Sequence, residues 1–173
     1  MRWSIRSLGT LTFVLFLAAC ASGGSPAEYF AELETVTGTL DAELDDLEAA
    51  FNAGILDIDF ETSDAEGALI TLFQTSLTGT ADSFARLVAG LRDIDPPPRV
   101  AGPHDDALRA GERVLTEYRE REDQLASLDT LADIDAYAAA FSANGSRQRF
   151  TEACQELQTI ADLDNIDADL GCS

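Results

Sequence analysis

From residue 26 onward, apolar residues recur in steps of three and four with acids between them, the spacing of amphipathic helices rather than of strands. Ser25-Pro26-Ala27-Glu28 has the form of a helix start, with a Ser cap, Pro at the first helical position and Glu placed to close a capping box. Tyr29, Leu33, Val36, Leu40, Leu44, Leu47 and Phe51 then fall on one face, and Glu34, Asp41, Glu43, Asp45 and Glu48 on the other. Asn52-Ala53-Gly54 predicts the stop. Ser63-Asp64-Ala65-Glu66 repeats the capping pattern. It opens a second helix carrying Ile70, Phe73, Leu77, Thr80, Phe84, Leu87, Leu91 and Ile94 in alternating steps of three and four. Thr80 on that seam, with Thr75, Ser76 and Thr78 around it, argues for a helix packed in a bundle over a two-stranded coiled coil.

Asp95-Pro96-Pro97-Pro98 ends the second helix, because the residue before a proline is pushed out of the helical region and the ring removes a donor. A third helix carries Leu108, Gly111, Leu115 and Tyr118, with Leu125 and Leu128 beyond. Its start is open between Pro97 and Pro103. Leu131, Ile134, Tyr137, Ala138 and Phe141 predict a short fourth helix stopped at Asn144-Gly145. Ser146 then caps a fifth with Phe150, Ala153, Cys154, Leu157 and Ile160. No segment alternates as a strand. The pattern predicts an all-α, up-and-down bundle of four or five helices.

The first residues follow a different rule. Arg2 and Arg6 precede an apolar run from Leu8 to Leu17 that ends in small residues, the pattern of a signal peptide. It is too short for the roughly 20 apolar residues that a membrane-spanning helix needs. Within it, Leu17-Ala18-Ala19-Cys20 resembles a bacterial lipobox at all four positions. The resemblance implies cleavage between Ala19 and Cys20, with Cys20 acylated as the new first residue. The expected organisation is a signal peptide over 1–19, a short polar linker over 20–25 and a single helical domain over 26–173. Two or three acyl chains, at about 0.8 kcal/mol per buried methylene, hold a protein on a bilayer where one is marginal. The expected location is the outer face of a bacterial membrane, and the outer membrane if the host has one, since Ala21 and not Asp follows the cysteine.

Composition narrows the chemistry. The chain has 32 acidic residues against 11 basic ones and a formal charge of −21. Every basic residue is Arg, so lysine Schiff bases, a lysine general base and a P-loop are excluded, and nucleic acid is not an expected partner. Loss of the signal removes two Arg, leaving 154 residues at −23. The remaining acids lie on every segment and read as a solvated surface. No nucleophile elbow, zinc-protease helix or phosphate loop is present, so no catalytic residue, metal or other cofactor is assigned.

With Cys20 taken by lipid, Cys154 and Cys172 are the remaining thiols of a compartment in which disulfides persist. A bridge would close a loop of 18 residues and tie the tail, with Ile166 and Leu170, to the last helix; free thiols or a redox pair are the alternative. His104 is the one side chain that titrates near neutrality without perturbation. It stands at the edge of an apolar face before Asp105 and Asp106. Two roles are open to it: a structural hydrogen bond to the Pro-rich turn, or a ligand or pH-sensing site with those two acids. Asp162, Asp164, Asp167 and Asp169 do not fit an EF-hand loop, with Ile166 at its fifth position.

Cys20, Pro96, Pro97, His104, Leu108, Cys154, Leu157, Leu170 and Cys172 together resemble uncharacterised small helical lipoproteins of high-GC bacteria. The chain departs from that pattern at Pro98 and Gly102-Pro103. The resemblance implies the lipid anchor and the Cys154–Cys172 bridge, and implies no reaction. The expected function is that of a lipid-anchored envelope or interaction protein, attached to the membrane and contacting an unidentified protein partner. The rival is a lipoprotein that holds a cation or small solute near the Pro-rich turn.

Overall fold

The computed structural model describes residues 24–62, 64–125, 130, 132–133, 136–137, 139 and 145–172. The first helix, α1, spans Pro26–Asp57 and begins with the expected capping box: the Ser25 N–H donates to Glu28 Oε2 at 2.8 Å, and the Glu28 N–H to Ser25 Oγ at 3.2 Å. Ser25→Ala should cost about 1 kcal/mol, the usual value of a serine cap. Urea denaturation will measure it, and amide exchange should place the loss in the first turn of α1.

Instead of stopping at Asn52-Ala53-Gly54, α1 continues for one more turn. Gly54 lies against Leu72 of the next helix so closely that a Cβ would meet the leucine methyls. Packing thus carries the helix through a residue of low intrinsic propensity. The second helix, α2, spans Ala65–Asp93 with Asp64 at its cap position; Ser63, the cap expected from the sequence, lies outside the described residues. The Val36–Gly90 and Leu47–Gly79 contacts run in opposite directions along the two chains, so α1 and α2 are antiparallel. Arg86 holds Glu43 with two parallel hydrogen bonds, of 2.7 and 2.8 Å, on the same seam.

After the proline turn, α3 spans Ala101–Leu125. This settles the open start: Pro98 to Val100 form a turn, with the Val100 N–H bonded to the Pro97 carbonyl at 2.9 Å, and Pro103 sits in the first helical turn, where its missing N–H has no partner to lose. Phe84 stacks on Tyr118 and Gln74 donates to the Leu125 carbonyl, so α3 runs back along α2. The last helix, α4, spans Ser146–Leu163 and runs antiparallel to α3, with Phe150 near Gly111. Ser146 is its first helical residue rather than its cap. Gly145 takes the cap position, and the Ser146 hydroxyl donates to the Glu117 carboxylate of α3. The expected helix over 131–141 falls largely outside the described residues; its Tyr137 ring lies beneath Arg121 of α3 at 5.6 Å.

The described residues contain four helices and no strand, and the protein is an all-α up-and-down bundle. Its core collects Phe30 and Leu33 from α1, Leu87 and Leu91 from α2, Val114 from α3 and Leu157 from α4, each at most 2% exposed. Packing contacts run from α1 to α2, from α2 to α3 and from α3 to α4. The seam between α1 and α4 is filled by the tail, whose Leu170 is 1% exposed.

Candidate functional site

Two places in the bundle gather chemistry. The first lies where α2 ends. The chain leaves α2 at Ile94 in an extended conformation ahead of the prolines, which deprives the Leu91 carbonyl of its helical partner. His104, from the first turn of α3, supplies one: its Nε2 lies 3.0 Å from the Leu91 oxygen. A carbonyl can only accept, so Nε2 carries the proton, and Nδ1 accepts from the Tyr29 hydroxyl of α1 at 3.0 Å. The ring is 3% exposed and packs edge-on to Tyr29, with centroids 5.7 Å apart. Burial pushes the imidazole below its ordinary pKa, against weaker opposing effects of the Leu91 carbonyl and Asp105. Burial likewise pushes the Tyr29 phenol well above its usual range. His104 is thus a neutral side chain that joins three helices through the core.

Asp105 and Asp106 do not join it. Both are exposed, and Asp106 pairs with Arg109 one turn along α3. Of the two roles left open by the sequence, the geometry is that of the structural hydrogen bond, with both ring nitrogens engaged inside the protein. The expected bond to the Pro-rich turn goes instead to the last turn of the helix before it.

The second place is the C-terminal tail. Asn165, at φ 54°, closes α4 in the left-handed conformation; the Ile166 N–H bonds to the Ala161 carbonyl at 2.9 Å and the Asn165 N–H to that of Asp162 at 3.1 Å. This is the Schellman reversal, and it turns the chain back along α4. Gln158 then clamps the tail from both sides, donating to the Ala168 carbonyl at 2.8 Å and accepting the Leu170 N–H at 2.9 Å. The Asp169 N–H reaches Glu34 of α1 at 3.3 Å. Cys154 and Cys172 form a disulfide, with Cα atoms 5.5 Å apart, that fixes the end of the tail. Glu34 and Asp41, placed by sequence on a solvated face, in fact border this seam. A Cβ on Gly171, which sits at φ 59°, would run into the Asp41 carboxylate. Burial and the neighbouring Asp45 and Asp169 raise the pKa of Asp41.

Beneath the tail lies a cavity of about 80 Å³, bordered by Leu40, Asp41, Phe84, Arg147, Cys154 and Leu170. That is room for a few waters, well below the roughly 300–1,000 Å³ of pockets that enclose drug-sized ligands. Asp164, one of the four tail acids, pairs with Arg99 at 2.6 Å. Among the described residues, no three His, Cys, Asp or Glu side chains converge on one point. Cys20 and Ala19 lie outside the described residues.

The sequence singled out His104 and the two cysteines but missed Tyr29, Gln158 and Glu34 as their supports. In the sequence Tyr29 marks only an apolar position of the first helix. No signal in the chain marks Leu91 as a partner, because it contributes a backbone atom. Comparison with protein-family models, curated proteins and solved structures finds no match to this chain.

Proposed function

We propose that this chain is a lipid-anchored helical protein on the outer face of a bacterial membrane, acting through protein contacts or as an envelope component without catalysis. The observation that carries the reading is Leu17-Ala18-Ala19-Cys20 behind a basic and apolar leader, six residues ahead of the first residue of α1. In this reading Cys20 is the acylated first residue and Ala21 to Ser25 are the linker to the bundle. The joined Cys154 and Cys172 support a compartment where disulfides persist. No helix among the described residues is long and apolar enough to cross a membrane, and attachment in this reading comes from the acyl chains. The outer membrane is the destination where the host has one.

The test is mass spectrometry of the native N-terminus together with fractionation of Cys20→Ser. Acylated Cys20 in the membrane fraction is the expected result, and the variant should lose its acyl chains and leave that fraction. A secreted chain with an unmodified N-terminus overturns the reading.

A further inference from the structure

The tail is held differently from the helices it lies on. Direct packing joins α1 to α2, α2 to α3 and α3 to α4, but residues 166–172 close the seam between α1 and α4. Beyond the reversal at Asn165 this strap is gripped by side chains: Gln158 at Ala168 and Leu170, Glu34 at Asp169, and Gln155, whose Nε2 donates to the Cys172 carbonyl at 3.3 Å. Of residues 166–172 only Leu170 is fully buried; Ile166, Ala168 and Cys172 are half-buried. So few contacts stand against the entropy of ordering seven residues, and the bridge offsets that entropy by joining the end of the strap to α4. Charge works against the strap as well. Asp169 lies against Glu34 and Asp41 of α1, a helix without a basic residue. Of the neighbouring cations, Arg99 pairs with Asp164 ahead of the reversal, and Arg147 of α4 borders the cavity beneath the strap. The two sulfurs differ in access, since Cys154 is 5% exposed and Cys172 half-buried.

We propose that the tail is a redox-sensitive strap: the Cys154–Cys172 bridge locks it over the α1–α4 seam against the like charges of α1, and a dithiol reductant releases it while the four helices stay folded. The thiolate of the reductant attacks Cys172, the more accessible sulfur. A mixed disulfide forms there as the bridge breaks, and Cys154 leaves as a thiolate that takes up a proton. The second thiolate of the reductant then closes its own disulfide, and Cys172 leaves and is protonated in turn. Two electrons have passed from the dithiol to the bridge. Release pivots the strap about Asn165, lifts Leu170 from Leu40 and Phe84, and opens their faces to solvent. The direct seams keep the bundle together, since α1–α2, α2–α3 and α3–α4 pack without the tail. The thiol–disulfide balance around the protein thereby sets whether the bundle presents a closed surface or an apolar seam.

The test uses the full chain with Cys20→Ser in mild detergent, so that the bridge is the one source of thiols. Dithiothreitol is the probe. Under native conditions it should open the bridge without loss of the helical circular-dichroism signal, and the Leu170 and Gly171 amides should then exchange about a hundredfold faster or more. Cys154 should react with iodoacetamide at a rate within about tenfold of that of Cys172, because the strap no longer covers it. Cys154→Ala with Cys172→Ala should show the fast exchange with or without the dithiol. Asp41→Asn should slow exchange in the reduced form, and so should added salt, because both weaken the repulsion on Asp169. A bridge that the dithiol opens only in denaturant overturns the proposal. So does a reduced chain whose Leu170 amide stays protected and whose Cys154 stays unreactive, or one that loses its helices together with the strap. Exchange indifferent to both Asp41→Asn and salt overturns the part assigned to charge. Acylation of Cys20 plays no part in this assay, so failure here leaves the anchoring result standing, and the reverse.

Discussion

His104→Ala should lower the unfolding free energy by about 3–5 kcal/mol, because it strands the buried Tyr29 hydroxyl and Leu91 carbonyl and leaves a hole where the ring was. Urea denaturation of the variant beside the parent measures it; a loss below about 1 kcal/mol would mean that water reaches both groups and that the three-helix junction is not sealed. His104→Gln separates geometry from titration. Its amide can donate to Leu91 and accept from Tyr29, so most of the stability should return, but it cannot be protonated.

The pH dependence follows with a definite sign. Burial lowers the pKa of His104 below its ordinary value of 6.5, so in acid the unfolded chain takes up the proton first. The contribution of this residue is therefore complete above that value and is lost as pH falls from it through the lower folded pKa, with a slope of up to about 1.4 kcal/mol per pH unit. The parent should show this slope and His104→Gln should not. The difference between the two curves removes the carboxylates common to both, including Asp105 beside the ring.

Removing the disulfide with Cys154→Ala and Cys172→Ala should cost about 3 kcal/mol, the loop entropy of an 18-residue closure. The loss has a location as well as a size. Leu170, Gly171 and the Gln158 clamp depend on the tail's return along α4, so amides from Ile166 to Cys172 should lose exchange protection while the α1–α2 seam keeps its own. Gly171→Ala should imitate part of this with the disulfide intact, since a side chain at φ 59° is strained and collides with Asp41. Unchanged protection of Leu170 in the cysteine variant would mean that core burial alone holds the tail.

Periodicity made the helices legible because burial on one face leaves a mark every three or four residues. Tyr29, Leu33 and Leu40 lie in the core as their spacing required. Phe30 and Thr37 are buried as well, at 0% and 5% exposure, a second stripe that one helix–helix seam does not explain. The Cys154–Cys172 bridge is present as expected. For His104 only its rarity was legible. Whether it met the acids beside it in sequence or the core was decided by the turn of α3, which aims residue 104 inward and residues 105 and 106 outward.

By itself, the sequence determined the helical class, the capped start of α1 and the stop at the prolines, because each follows from neighbours along the chain. Only the tertiary structure decided that α1 runs on to Asp57, that Ser146 serves α3 rather than its own helix, that the tail fills the seam between α1 and α4, and that His104 answers a carbonyl thirteen residues away and a phenol seventy-five away. Those outcomes depend on which groups packing leaves without water, and a buried carbonyl in need of a donor has no residue type to announce it.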